Sequence, residues 1–323
     1  MAKVASKEAF QEGSKTLKEF SEITVGAKDI ERISQGIGEE IIDLEKTESE
    51  KLIASMNIYE PNKTIPIMYI SVDGTGVPVT KKEVKDRKGK QEDGRAKTRE
   101  AKLGCIFTQV CTDEKGFPIR EKDSTTYIGG IETTEEFGKK LEIESLKRGL
   151  YSAKETVFIG DGAKWVWGIA ETYFHNATQI LDFYHAKEHL MELIDAIYKS
   201  NNRKNKRLNS DTARLSKFLE KGRIEKIIHF AERLNPNDEK EISKQIGYFR
   251  DNIERMRYEY FREKGFFIGS GVIEAGCKTV VGKRFKQSGM FWSVKGANKL
   301  LALRCNLLSN NRFEDFWDKR SVA

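Results

Sequence analysis

The chain has 323 residues, of which 38% are hydrophobic and 33% are charged, and its formal net charge at pH 7 is +7. This length suits one large core or about two domains, and the positive charge favours a polyanionic partner, either nucleic acid or an anionic membrane surface. No apolar run approaches the roughly 20 residues of a membrane-spanning helix, and the first residues lack the apolar core of a signal peptide. The four cysteines form no C-x-x-C pair, which argues against a disulfide framework or a cysteine-based zinc site and fits a reducing cytoplasm.

Residues 1–62 are expected to form an N-terminal helical region. Two short amphipathic patterns are separated by a turn that contains Gly26, an arrangement that resembles a helix-turn-helix. An ordinary helical hairpin fits the same spacing and stays open as the alternative. The two apolar stripes consist of Leu17, Phe20 and Ile23, and of Ile30, Ile33 and Ile37.

The first predicted strand is the apolar, β-branched run from Pro66 to Val72, which ends on Asp73 and is followed by Gly74 and Gly76. Glycine permits backbone angles closed to other residues and lets a ligand come close. A carboxylate beside such a turn is well placed to hold a hard cation such as Mg²⁺. The alternative is a strand that simply stops at a turn, where Asp and Gly are common.

The next segment, residues 78–100, is dense in charged residues and is expected to be a long hairpin arm that faces phosphates, or else a solvated loop without a role. Residues 103–112 predict a strand, and residues 117–128 predict the strand that returns after a turn. The chain is therefore expected to open with a three-stranded antiparallel meander. A helix is predicted over residues 134–150.

A second strand that ends on an acid follows, with Asp161 flanked by Gly160 and Gly162. A helical pattern and another strand come next, and that strand ends on Asp182 before His185 and a further helix. A β-α-β unit implies parallel strands, normally joined by a right-handed crossover. The two acids should therefore follow parallel strands.

Residues 200–263 lose the strand pattern, so we expect an all-helical insertion there, with a break at 235–237. A late helix from Val272 carries Glu274 and several cations, and a last helix is predicted over 297–308. The predicted organisation has four segments. These are a helical region (1–62), a catalytic core (63–199), the helical insertion (200–263) and the C-terminal helices of the core (264–323).

Three carboxylates thus come from separate elements, with Asp73 and Asp161 at strand ends and Glu274 in the first turn of a helix. Such acids can converge and hold two divalent metals, which suits in-line attack at phosphorus. Each acid also has a local explanation, because Asp161 could close a turn and Glu274 could favour its helix N-terminus. Phosphate contacts are expected from a group of cations on the late helix, namely Lys278, Lys283, Arg284 and Lys286.

Several short stretches together carry a resemblance to a known family. They are Asp73–Pro78, Gly94–Gly104, Gly160–Ala163, Asp182–His185, Ser270–Glu274 and Arg284–Ser293, with Gly296 and Ala297 after the last. Their order and joint presence resemble a DDE-type insertion-sequence transposase of the ISKra type, within the RNase H-like superfamily. The resemblance spans about residues 20–308.

This resemblance implies an α/β fold, with an RNase H-like mixed five-stranded sheet flanked by helices, an all-α insertion and the N-terminal helical region. It implies that Asp73, Asp161 and Glu274 are the catalytic residues and the ligands of two Mg²⁺ ions, for which Mn²⁺ can substitute. Asp182 and His185 match a motif of related groups and are expected to be auxiliary. The implied reaction cleaves transposon ends and joins the freed 3′-hydroxyl to target DNA.

The implied partners are double-stranded DNA, as transposon end and as target, and further copies of the chain on that DNA, with no membrane. The implied location is the bacterial cytoplasm, in association with the nucleoid. Because family members usually carry a longer N-terminal region, we expect a shortened copy.

Three other interpretations remain. A decayed or domesticated DNA-binding transposase would be non-catalytic; a shortened chain favours this, and retention of all three acids opposes it. A related RNase H-fold nuclease would cut without strand transfer. His185 and His189 share a helix face and could bind zinc with Asp182, although a fourth ligand is not evident.

Overall fold

A computed structural model describes residues 1–55, 64–85, 87–89, 96–200, 207–235, 237 and 239–322. Within these residues the fold is mixed α/β, with six strands in one mixed sheet flanked by helices. The strands are β1 (Ile65–Pro78), β2 (Thr98–Thr112), β3 (Pro118–Arg120), β4 (Thr126–Gly130), β5 (Ala153–Gly160) and β6 (Thr178–Leu181). Their order is β3-β2-β1-β5-β6, and β4 pairs with β2 outside this order.

The expected count of five strands is corrected to six, because the predicted returning strand is divided into β3 and β4.

The helices before β5 are α1 (Ala2–Lys7), α2 (Phe10–Ser21), α3 (Ala27–Ser55) and α4 (Thr134–Lys147). Those of the middle of the chain are α5 (Lys164–Tyr173), α6 (Phe183–Ser200), α7 (Leu208–Glu220), α8 (Ile224–Arg233), α9 (Lys240–Asp251) and α10 (Tyr258–Glu263). The last are α11 (Gly271–Gly276), α12 (Lys283–Phe285), α13 (Val294–Leu308) and α14 (Arg312–Val322).

A π-helical segment, Cys277–Gly282, joins α11 to α12. Among the described helices, none combines the length and the apolar character that crossing a membrane requires.

The chain forms two compact units. The first unit contains Met1–Thr108, Glu121–Lys154 and Gly271–Ala323, and the second contains Gln109–Arg120 and Glu155–Ser270. The N-terminal helices, β1 and the C-terminal helices therefore belong to the same unit.

In the first unit, the N-terminal helices differ from the two short helices that the pattern predicts. The turn lies where it is expected, between Ser21 and Ala27, but α3 continues for 29 residues. Of the first stripe, Leu17 is buried while Phe20 is 78% exposed. A side chain at Gly38 would collide with the backbone of Lys299, so glycine here lets α3 approach α13 closely. α3 is therefore a packed helix of the first unit.

The sequence predicts that the first strand ends at Asp73. In the structure, β1 continues for five further residues, to Pro78. Gly74 and Gly76 lie inside the strand, where a methyl group would meet Glu100 at 2.7 Å and Thr98 at 3.2 Å. The glycines make room for neighbouring side chains of β2 rather than for a turn. β2 begins at Thr98 inside the predicted charged arm, whose Lys90 and Arg95 lie outside the described residues.

In the second unit, β5 and β6 are parallel and pair from Val157↔Thr178 to Gly160↔Leu181. The part of 200–263 that the structure describes holds α7 to α10 and no strand, as the loss of alternation predicts; Pro236 of the predicted break lies outside the described residues. Of these helices, α10 contacts the end of β6, because the Tyr258 hydroxyl donates to the Leu181 carbonyl at 3.0 Å.

Candidate functional site

In the first unit, Asp73 is half-buried in the middle of β1. Its Oδ1 accepts a hydrogen bond from the Gly74 amide at 2.6 Å, and the carboxylate also accepts one from the Cys277 thiol. Burial, and then the negative charge of Asp73, raise the pKa of Cys277 well above its ordinary value. The thiol therefore stays protonated at neutral pH and acts as a donor to Asp73.

Glu274 lies three residues before Cys277, in the first turn of α11. Residues three apart on a helix share a face, and α11 packs against β1. Glu274 is half-buried on the helix face that Cys277 presents to Asp73. The first unit therefore places these two predicted ligands on elements that contact each other.

The predicted phosphate-binding lysines are exposed, and one of them lies near Asp73. Lys278, Lys283 and Lys286 all have exposed side chains. The Lys286 ammonium donates to the Thr75 hydroxyl at 2.5 Å, two residues beyond Asp73 along β1. These cations are available to an anionic ligand.

Arg284 is different, because its side chain is fully buried. Its Nε donates to the carbonyl of Ala5 at 2.8 Å. Its guanidinium lies over the rings of Phe10 and Trp292, at 4.7 and 5.0 Å from their centroids. Burial lowers the pKa of Arg284 to about 10, which leaves it charged at neutral pH. Arg284 therefore stabilises packing between α1, α2 and the segment after α12, and we remove it from the predicted phosphate contacts.

In the second unit, two acids follow neighbouring strands. Asp161 comes directly after β5 and Asp182 directly after β6, whose last residues, Gly160 and Leu181, are register partners. The Asp182 amide donates to the Gly160 carbonyl at 2.8 Å. The expectation that these acids follow parallel strands is confirmed, and they lie side by side at the carboxyl ends of those strands.

The two carboxylates are engaged differently. Asp182 has no exposed surface, and its Oδ1 and Oδ2 accept the amides of His185 at 2.7 Å and Ser270 at 2.5 Å. It therefore caps the first turn of α6 and fixes the chain before α11. Asp161 is half-buried, and its Oδ1 accepts the amide of Ala163 at 2.9 Å.

His185 and His189 have separate partners within the second unit. The His185 ring lies 3.5 Å from Glu188, whereas His189 Nδ1 is 2.8 Å from Oε1 of the buried Gln245. The His189 ring is also stacked on Tyr248, with centroids 3.6 Å apart. His189 is therefore held by Gln245 and Tyr248, whereas His185 has neither of these contacts.

Sequence reasoning missed Tyr248, which lies on α9 beside the turn after Asp161. A methyl group at Gly162 would lie 2.9 Å from its hydroxyl. In the sequence, Tyr248 is an aromatic residue in a charged helical segment. That pattern does not show which residues contact Tyr248.

The oxygen donors of Asp73, Asp161 and Glu274 suit a hard divalent cation such as Mg²⁺ or Mn²⁺. The protonated Cys277 thiol is bonded to Asp73 and offers no soft thiolate ligand. The chemistry of the donor set therefore fits the implied magnesium ions. No protein-family model and no curated protein sequence matches this chain.

Proposed function

We propose that this chain is a DNA transposase of the DDE type with an RNase H-like core, which cleaves transposon ends and joins the 3′-hydroxyl to target DNA. The observation that supports it best lies in the first unit, where Asp73 on β1 meets the helix that carries Glu274. An acid on a sheet strand opposite a helix acid suits a metal-dependent phosphodiester chemistry.

In this proposal Asp73, Asp161 and Glu274 hold two Mg²⁺ ions, for which Mn²⁺ can substitute. Such ions, when bound, activate the attacking oxygen and stabilise the leaving oxygen. The thiol of Cys277 holds the Asp73 carboxylate in place, and the ammonium of Lys286 supplies positive charge for a nearby phosphate.

DNA binding is assigned to the exposed lysines, since the net charge of +7 favours a polyanion. Assembly of several copies on DNA, and a location at the bacterial nucleoid, belong to the same proposal. Asp182 and His185 are kept as auxiliary residues, with Asp182 acting by fixing the first turn of α6 and the backbone at Ser270.

The experiment compares wild type with Asp161→Asn on a labelled duplex that carries the terminal sequence of the element encoding the chain, with Mg²⁺ or Mn²⁺. Asn keeps the shape of the side chain but removes the charge that a hard cation requires. Nicking should fall below detection, while the gel shift stays near that of wild type because phosphate contacts supply most of the binding energy.

Asp195→Asn is the matched control, because Asp195 lies in the same unit and its carboxylate accepts from Lys199 at the surface. This control should nick like wild type. If Asp161→Asn also nicks at the wild-type rate, Asp161 is not a metal ligand. A wild type that binds DNA and never nicks, with either metal, would replace the transposase proposal with a non-catalytic DNA-binding function.

A further inference from the structure

Tyr248 reaches from α9 to the turn that follows β5 in the second unit. A methyl group at Gly162 would lie 2.9 Å from the Tyr248 hydroxyl and 3.0 Å from its Cε2. Gly162 has a φ of +97°, a conformation that favours glycine. The missing side chain at Gly162 therefore lets the phenol contact the backbone next to Asp161.

The Tyr248 hydroxyl is buried and has no hydrogen-bond partner among the described residues. Two other tyrosine hydroxyls of the second unit are satisfied, since Tyr198 donates to Asp211 at 2.9 Å and Tyr258 donates to the Leu181 carbonyl. A buried hydroxyl without a partner destabilises a protein and calls for an explanation. The position of this one beside Asp161 points to a ligand.

The phenol ring is held in place by a chain of contacts from α6 and α9. It stacks on His189 at 3.6 Å between centroids, with 23° between the ring planes. His189 Nδ1 is 2.8 Å from Gln245 Oε1, and the Gln245 amide donates to Glu192 at 2.7 Å. A hydroxyl on a fixed ring is preorganised to bind one acceptor.

The electrostatics make this hydroxyl a donor. A tyrosine hydroxyl is neutral at physiological pH and offers one O–H donor, and the carboxylates of Asp161 and Asp182 lie near this one. The same carboxylates repel a phosphate that approaches this edge of the strands. A neutral O–H group offsets part of that repulsion, because it donates to an anionic oxygen without adding negative charge.

We propose that the Tyr248 hydroxyl donates a hydrogen bond to a phosphodiester oxygen of a DNA strand bound at Asp161. This inference rests on the proposed function, since it needs DNA at that carboxylate. It assigns part of substrate binding to the helical insertion, which supplies a donor to the reacting strand.

The test uses Tyr248→Phe, which removes the hydroxyl and keeps the ring. Removal of one preorganised donor to a reacting phosphate should lower nicking at saturating DNA by about 100- to 1,000-fold. The melting temperature should stay unchanged or rise, because a buried hydroxyl without a protein partner is removed. Tyr198→Phe is the matched control; it should lower the melting temperature by about 2–4 °C and leave nicking unchanged.

Two results would overturn the inference while the proposed function stands. One is a Tyr248→Phe variant that nicks like a wild type that is itself active. The other is a variant that melts at lower temperature, as Tyr198→Phe does, because the hydroxyl would then serve the fold. A wild type that neither binds nor nicks DNA would instead remove the proposed function, and this inference with it.

Discussion

The two units of the chain hold their acids in different ways. In the first unit, Asp73 accepts the amide of its neighbour Gly74 and also a side chain from a distant helix, the Cys277 thiol. In the second unit, backbone amides fix Asp161 and Asp182. An apolar run that ends on an acid beside a glycine therefore predicts that a carboxylate lies at the sheet. It does not predict which groups donate hydrogen bonds to that carboxylate.

This difference implies that loss of the Asp182 carboxylate acts on the fold, whereas changes at Asp161 and around Asp73 act locally. The largest effect is expected from Asp182→Ala, which removes the acceptor of two backbone amides. It should lower the free energy of unfolding by about 3 kcal/mol, since each unpaired buried amide costs about 1–3 kcal/mol. Urea denaturation measures the change.

Asp161→Ala is the matched comparison, because its half-buried carboxylate accepts the amide of Ala163 at a turn. It should cost less than about 1 kcal/mol. Asp182→Asn keeps one acceptor oxygen and should lie between the two. Equal costs for Asp182→Ala and Asp161→Ala would break the proposed contrast between the two acids.

A second, smaller effect concerns the buried cation of the first unit. Arg284→Ala should lower the free energy of unfolding by about 2 kcal/mol, because desolvated contacts with Phe10 and Trp292 are lost. Lys283→Ala, one residue earlier and exposed, should change stability by less than about 0.5 kcal/mol.

The same pair of variants separates packing from DNA binding. Lys283→Ala should reduce the slope of log K against log salt by about 0.9, the value for one phosphate contact, whereas Arg284→Ala should leave that slope unchanged. The slope is measured by fluorescence anisotropy of a labelled duplex. A reduced slope with Arg284→Ala at full stability would return Arg284 to the phosphate contacts.

The smallest effect is expected at Cys277. Cys277→Ala should cost about 1 kcal/mol at pH 7.5, since one hydrogen bond to Asp73 is lost. The folded thiol has a raised pKa, whereas an unfolded thiol ionises near pH 8.5. Its stabilising contribution is therefore complete below about pH 8.5 and declines as the pH rises further.

Unfolding free energies at pH 7.5 and 9.5 measure this decline. Cys277→Ala should show a smaller loss between the two values than wild type does. Cys277→Ser, which keeps a donor of similar size, should approach wild-type stability at pH 7.5. A wild type and a Cys277→Ala variant with equal pH dependence would show that the thiol does not hold Asp73 as described.

Much of the fold follows from local pattern. The apolar runs before Asp161 and Asp182 predict strands that lie within a few residues of β5 and β6, and the missing alternation in 200–263 predicts helices, which the described part of that segment contains. Such patterns show which residues a segment buries. A buried strand appears as a continuous apolar run, and a helix appears as apolar residues that recur every three or four positions. The sequence therefore predicts the positions of Asp161 and Asp182 after neighbouring strands.

The features that were missed depend on contacts between distant residues. Gly74 favours a turn by its local preference, whereas the structure uses it to admit Glu100 of the next strand. In the sequence, Arg284 resembles its exposed lysine neighbours. In the structure it is buried, because Phe10, far earlier in the chain, packs on it. The neighbours of Tyr248 likewise come from another helix, α6, and from the turn after β5.

The π-helical segment Cys277–Gly282 sets the rotation of α12 about the helix axis relative to α11. Each residue of an α-helix advances about 100° around the axis, so one extra residue in a π turn rotates everything beyond it by that amount. Glu274 lies before this insertion, and Arg284 and Lys286 lie after it. A single-residue deletion here would leave the composition almost unchanged, yet it would turn Lys286 away from Thr75 and Arg284 out of its aromatic contacts.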